Sequence, residues 1–426
     1  MVVVGAGLSG LIAAYRLQQS GVRVTVLERS TRAGGRFAVE VLEGLVYHPS
    51  CPVLPTQAPT LFGVLRELDC ADRVSRHRLT RFRLQTRCGV RRVRTRGAGP
   101  QTPNTAWRRA RVLRVQSDFD ALLRRGRPEL ATRLDDRSVT QFLSLYLGRR
   151  QAAISGALLE AGFGLDPGET TRQLLMSQLD GWCDFAPAKV FGLGPFFRAL
   201  PEQLDTLRTE ASVRSVRPDG RAVELASGGS IECDAVLLAV PAYAALELLP
   251  EQTPAEELAL KGIRYRKRLN VVAALKRDKP LRTVLTSPHL ESPLAGVSDI
   301  TPENAPAGNE LRLVMLLSRP DFARELWHDS DVNLCNTLLN RFASARSELR
   351  KSVRSLAVHR LDAESPTYDV GHFRAIARLT RSLDQRFQRR RVRLCGDYLI
   401  SPDLEGCTIA ATRAAESLGQ FFSPVQ

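Results

Sequence analysis

Apolar residues open the chain as a β-branched run, Val2 to Val4, that stops at a glycine, and then recur at helical spacing at Leu11, Ala14 and Leu17. This predicts a strand, a tight turn and a helix ending near Gly21, with a second strand over 22–27. A further helix is predicted over 60–68, where Leu61, Val64, Leu65 and Leu68 share one face. Around Cys88 and Gly89 basic and apolar residues roughly alternate, which predicts a hairpin with one solvated basic face. From 119 to about 160 the period is helical, and Ser138 is placed to cap a helix over 139–147. Strands at 211–216 and 222–225 flank the turn residues Asp219 and Gly220; a second turn at Gly228 and Gly229 precedes an apolar strand over 231–240, and a helix follows at 254–260. Residues 270–276, 281–285 and 311–317 read as strands and 331–349 as a helix. Finally, a short strand ends at Gly396 and Asp397, and a helix begins near Gly406.

The first of these turns carries chemistry. Gly5, Gly7 and Gly10 are spaced as G-x-G-x-x-G between strand and helix. Gly5 allows the turn, Gly7 lets backbone approach a pyrophosphate, and Gly10 lets helix and strand pack closely, while the free N–H groups of the helix start attract phosphate. Glu28 ends the second strand, where its carboxylate can accept both hydroxyl protons of an adenosine ribose and would repel a 2′-phosphate. The ligand predicted is FAD or NAD rather than NADP.

Length and composition add bounds. With 426 residues and 43% hydrophobic content the chain can bury a large core in two or three domains. Residues 1–15 are uncharged, but no basic residue precedes them and the glycine pattern accounts for them. The run 235–246 contains Pro241 and is too short to span a bilayer, so no transmembrane helix is expected. None of the eight Cys forms a C-x-x-C pair, which argues against a zinc site or a reactive dithiol; no metal is expected, and reduced thiols in a cytoplasm are the default. The formal charge of +16 invites an anionic partner, yet only six of the 61 basic residues are Lys, a skew that reads as coding bias. Residues 73–116 hold fourteen Arg and no acid. The aromatics there are Phe82 and Trp107, too few for the stacking that single-stranded nucleic acid requires. A solvated face, or a peripheral contact with an anionic membrane, is expected instead of nucleic acid, with a small molecule as substrate.

Gly34, Gly35 and Arg36, shortly after the ribose acid, resemble the GG signature of the FAD-dependent amine oxidase, protoporphyrinogen oxidase and phytoene desaturase superfamily. The stretches 135–148, 161–171 and 192–204, and Tyr368 to His372 as Tyr-x-x-Gly-His, are similar to passages of its protoporphyrinogen oxidase-like members. Two positions depart from the superfamily pattern in the loop that approaches the flavin, with His48 and Ser50 where Asp and Gly are usual. Ala410 and Ala411 likewise replace a usual Ser-Gly inside the last helix. The resemblance implies FAD held by Gly5, Ala6, Gly7, Leu8, Ser9, Gly10, Glu28, Arg29, Gly34, Gly35, Arg36, Val213, Gly396, Asp397, Gly406 and Cys407. In it the residue matching Val213 contacts adenine through its backbone. Asp397 matches an acid that bonds the ribitol or pyrophosphate, and the helix near Gly406 points its N-terminus at the flavin pyrimidine oxygen.

The fold so implied is α/β: a Rossmann-like FAD-binding domain of the GR2 type over 1–70, 200–265 and 385–426, with a discontinuous α+β substrate domain over 71–199 and 266–384. The implied reaction is hydride removal from a C–H next to nitrogen or an alkene onto non-covalently bound FAD, with dioxygen or a quinone as final acceptor. No catalytic base is identified. Amine oxidases of the superfamily place a Lys near the flavin, and no counterpart is found here; Tyr368 and Tyr398 are the aromatic candidates. A porphyrinogen-like or isoprenoid substrate is therefore favoured over an amine. The competing expectations are a membrane-associated desaturase or isomerase of carotenoid type and a non-catalytic FAD-binding partner protein, and the oligomeric state stays open.

Overall fold

The computed structural model describes residues 1–50, 53–54, 58–79, 81–94, 114–115, 117–124, 126–178, 188–276, 281, 283–302, 305, 309–344 and 352–422. The strand Val2–Val4 lies in the middle of a five-stranded sheet, between Thr25–Leu27 on one side and Val236–Leu238 on the other. Leu207–Arg208 and Val392–Leu394 form the two edges, and every pairing is parallel. A parallel sheet is covered on both faces, which is why its central strands read as unbroken apolar runs. Side chains alternate between the faces. Val3, Val26 and Leu237 pack beneath the helices Leu8–Gln19, Pro59–Glu67 and Leu404–Phe422. Val2, Val4 and Leu238 face the other way, onto the small sheet of Val213–Val216, Ala222–Leu225 and Ser230–Glu232 and the helices Pro254–Lys261 and His372–Arg386.

A seven-stranded sheet forms the second layer system. Its order is Val353–Pro366, Tyr265–Lys276, Leu311–Ser318, Leu294–Asp299, Val284–Thr286, Arg81–Thr86 and Gly89–Arg94. The pairings are antiparallel except that between Val284–Thr286 and Arg81–Thr86. Val272, Ala274 and Met315 meet Phe142 and Leu158 of the helices Val139–Tyr146 and Arg149–Phe163 on one face. On the other, Val271, Ala273 and Leu316 meet Leu338 and Phe342 of the helix Asp331–Ser344.

Three carboxylates tie distant segments together at helix ends, where backbone N–H groups lack partners. Glu405 accepts the N–H groups of Thr60 at 2.9 Å and Leu61 at 2.8 Å, at the start of Pro59–Glu67. Asp135 accepts those of Gly371 and Arg374 at the start of His372–Arg386. Glu256 completes a capping box with Thr253 and holds the buried Arg390 at 2.7 Å.

The predicted hairpins, both early strands and the Ser138 cap are present, the last as a full capping box with Gln141. Several expectations need correction. The run over 231–240 is two strands, because the chain turns a corner at 233–235 and changes sheets. The helical stretch 119–160 is broken by 3₁₀ turns at Pro128–Leu130 and Thr132–Leu134. The strand expected at 270–276 starts at Tyr265, and its long partner Val353–Pro366 was not anticipated. The 331–349 helix is described to Ser344, and Trp107, Cys51 and Cys183 fall outside the described residues. Among the described residues no helix is long and apolar enough to cross a membrane, and no three His, Cys, Asp or Glu side chains gather as a metal site.

Candidate functional site

The glycine turn is built as its spacing predicts. Gly5 has φ +101°, and a Cβ there would sit 2.7 Å from the carbonyl oxygen of Ala239. A Cβ on Gly10 would sit 1.9 Å from the Gly5 carbonyl oxygen, so helix and strand touch backbone to backbone. By contrast, a Cβ on Gly7 would meet no protein atom within 4 Å, because that position faces open space at the start of the helix. No side chain caps this helix, and its first turn carries no acid, which leaves its N-terminus available to an anion. Gly34 pairs with Gly7 as a parallel bridge and donates its N–H to Ala6 at 2.9 Å, which brings the Gly34-Gly35-Arg36 turn against the first one.

Glu28 stands at the rim of this arrangement. Its Oε2 accepts the Ala6 N–H and its Oε1 the Ser30 N–H, both at 2.8 Å. Each carboxylate oxygen retains acceptor capacity for a ribose hydroxyl. At the other end Arg36 donates to Asp397 Oδ2 at 2.5 Å and to the backbone carbonyl of Glu364, on the edge strand of the seven-stranded sheet. Burial opposes the Arg36 charge, but the adjoining Asp397 carboxylate overrides it and the net shift is upward. The Asp397 backbone is held from behind: Tyr368 donates its hydroxyl to the Asp397 carbonyl at 2.8 Å, and His372 Nε2 lies 2.8 Å from the Tyr398 carbonyl. The Tyr-x-x-Gly-His turn is thus a brace for this corner.

A cavity of about 490 Å³ runs between the two ends. Gly5, Gly7, Leu8, Ser9, Glu28, Arg29, Gly35, Arg36, Val213, Gly396, Asp397 and Cys407 line it. Ala6, Gly10, Gly34 and Gly406 do not. The Ala6 N–H instead fixes Glu28, Gly34 has φ +109° in its turn, and a Cβ on Gly406 would lie 2.3 Å from the Ser401 carbonyl oxygen. The last helix starts at Leu404, two residues before Gly406, and Asp403 caps it by accepting the Gly406 N–H at 2.9 Å. That carboxyl is buried, and burial pushes its pKa up.

Sequence reasoning missed Phe37, the segment Ala239 to Pro241, Tyr243 and Arg360 to Ala363. Phe37 and Tyr243 lie within two residues of recognised stretches, and Ala239 to Pro241 close the strand expected over 231–240, so following each stretch to its end and a residue or two beyond would have found them. Arg360 to Ala363 belong to the unanticipated strand. His48 and Ser50 both reach backbone carbonyls: His48 Nδ1 lies 2.9 Å from that of Phe37, and Ser50 donates its hydroxyl to that of Arg36 at 3.2 Å. Burial lowers the His48 pKa to about 4, so the ring is neutral and donates at that nitrogen.

The residues fit FAD. Glu28 has carboxylate oxygens that could take ribose hydroxyls, the helix Leu8–Gln19 has an uncapped start that could take phosphate, and Gly7 leaves open space beside that start. Comparison with known proteins agrees. Over 71 residues, 17% of this chain, the sequence is 35% identical to chloroplastic/mitochondrial protoporphyrinogen oxidase 2 of Arabidopsis thaliana, a stretch that spans 14% of that protein. A protoporphyrinogen oxidase-like protein of Exiguobacterium sp. 255-15 superposes with a TM-score of 0.76 at 19% identity, covering 99% of this chain and 98% of the other. A putrescine oxidase bound to putrescine superposes with a TM-score of 0.73 at 19% identity, covering 98% of both. At such identities the likeness is one of fold. Residues 8–418 match the flavin containing amine oxidoreductase family, and the chain therefore belongs to that family of FAD-dependent oxidoreductases.

Proposed function

We propose that the protein removes hydride from a C–H bond next to nitrogen or to an alkene of a small substrate, with dioxygen or a quinone as final electron acceptor. The observation that carries this reading is the single cavity lined by Glu28, the uncapped helix start, Arg36, Asp397 and, from the second sheet, Arg360 to Ala363. FAD, when bound, supplies the two-electron acceptor. The chain supplies the binding groups: Glu28 for ribose hydroxyls, the first N–H groups of Leu8–Gln19 for phosphate, and Arg36 with Asp397 for the remainder.

We assign residues 1–70, 200–265 and 385–426 to the FAD-binding half and 71–199 and 266–384 to the substrate half. In support, all five strands of the parallel sheet fall in the first set. Among the described residues no lysine lines the cofactor cavity, which favours a porphyrinogen-like or isoprenoid substrate over an amine. The test is the flavin absorbance of the purified protein under anaerobic addition of a porphyrinogen, an isoprenoid alkene and a primary amine. Bleaching is expected with one of the first two; bleaching by the amine alone would reverse the preference.

A further inference from the structure

A second cavity, of about 240 Å³, lies back to back with the first. The wall between them is thin. Phe37 lines the cofactor side and His48 the other, and the two are joined by the 2.9 Å bond from His48 Nδ1 to the Phe37 carbonyl. Phe197 packs against both rings, with centroids 5.6 Å from His48 and 6.2 Å from Phe37. The second cavity opens between the hairpin Glu40–Leu42 and Leu45–Tyr47, the strand Ala188–Phe191 and the segment after Asp299.

Its lining is largely apolar, with Leu45, Phe191, Pro195 and Ile300, and also includes the cations Lys189 and Arg198. No Asp or Glu lines it among the described residues. Lys189 is buried in the wall, where Nζ donates to Thr283 Oγ1 at 2.9 Å and to the Asp299 carbonyl at 3.1 Å, fixing the strand to that segment. Arg198 lies at the mouth, exposed on the helix Gly194–Glu202, and makes no ion pair or hydrogen bond with a described residue. Its guanidinium is a fork of donors suited to a carboxylate. His48 adds no charge, since burial keeps it neutral. The volume lies just under the roughly 300–1,000 Å³ of sites for drug-sized ligands, so the occupant is small.

From this lining we infer that the second cavity holds the carboxylate-bearing end of an apolar substrate, with the acid at Arg198 and the apolar part along Leu45, Phe191 and Ile300. The inference rests on the proposed oxidoreductase reading for its place beside the flavin; the binding itself does not require turnover. A cationic amine is disfavoured in the same cavity, because it would bring like charge to Arg198.

The test uses the flavin-loaded protein and three probes of one shape: 4-phenylbutyrate, 4-phenylbutyramide and 4-phenylbutylamine. Calorimetry should show the acid binding about tenfold or more tightly than the amine. Arg198→Gln should weaken the acid about fivefold, the size of one partly exposed ion pair, and leave the amide unchanged. Val46→Trp, which fills the cavity from a half-exposed hairpin position, should abolish binding of all three while the flavin spectrum persists. Equal affinity for acid and amine, an unaffected Arg198→Gln variant, or full binding to the Val46→Trp variant would each overturn the inference. Protein that purifies without flavin would count instead against the cofactor site.

Discussion

Arg36 and Asp397 lie 361 residues apart in the chain and meet at 2.5 Å, between Nη2 and Oδ2. Both line the cofactor cavity, and Arg36 also holds the Glu364 carbonyl of the second sheet, so one guanidinium joins the two ends of the sequence and the two sheets. Asp397→Asn removes the charge with little change of shape. It should lower FAD affinity about 10- to 150-fold, the value of a charge-assisted hydrogen bond of about 1.5–3 kcal/mol, while circular dichroism stays that of the wild type. Flavin titration of the apoprotein measures it, and full affinity in the variant would remove Asp397 from the site.

Gly7 and Gly10 should separate binding from folding. Gly7→Ala adds a methyl into space the protein leaves open, so that variant should fold normally and fail to retain flavin. Gly10→Ala drives a methyl into the Gly5 carbonyl and should instead unfold at lower denaturant. Urea unfolding combined with flavin absorbance distinguishes the two. Flavin retained by Gly7→Ala would contradict the assigned phosphate position.

His48 gives a pH signature with a definite sign. Its folded pKa of about 4 lies below the ordinary value of about 6.5, because burial disfavours the charged ring. The stability it contributes is present above about pH 6.5 and is lost as pH falls toward 4. The total is about 3 kcal/mol. Unfolding free energies of wild type and His48→Gln, measured over this range, should converge by about that amount as pH drops. Parallel curves would show that the ring titrates normally.

The basic hairpin has a plain forecast. Phe82, Leu84 and Val93 point into the core, whereas Arg81, Arg87, Arg91 and Arg92 are exposed. Replacing these four by Gln should lower the pI and leave turnover unchanged. If they instead hold an anionic membrane at about 1 kcal/mol each, the same variant would lose roughly 10³ in vesicle affinity. Salt-sensitive binding of the wild type to anionic vesicles, absent in the variant, would decide for the membrane.

Much of the architecture was legible because local chemistry specified it. The glycine turn needs no tertiary information, and Ser138 with Gln141 announces its own helix start. Val353–Pro366 was not legible. Bulges interrupt its pairing with Tyr265–Lys276, so its apolar period slips, and Asp362, Glu364 and Pro366 are poor strand formers. Within the site, the residues of the glycine turns were visible and their partners were not. That Asp403 would cap the last helix, or that His48 would reach the Phe37 carbonyl, depends on contacts which spacing in the sequence does not encode.

The strand order also has a consequence on the ribosome. Val2–Val4 is synthesised before the other strands of its sheet but sits in the middle of it, and its neighbour Val236–Leu238 emerges some 230 residues later, roughly 10–50 s at ordinary translation speed. Until then the nascent chain exposes an apolar strand with one unpaired edge, a form prone to aggregation and a natural client for chaperones. Asp397 arrives later still. The cavity walled by Gly7, Glu28 and Asp397 therefore cannot form until Asp397 has been made, so flavin capture needs both distant segments of the chain at once.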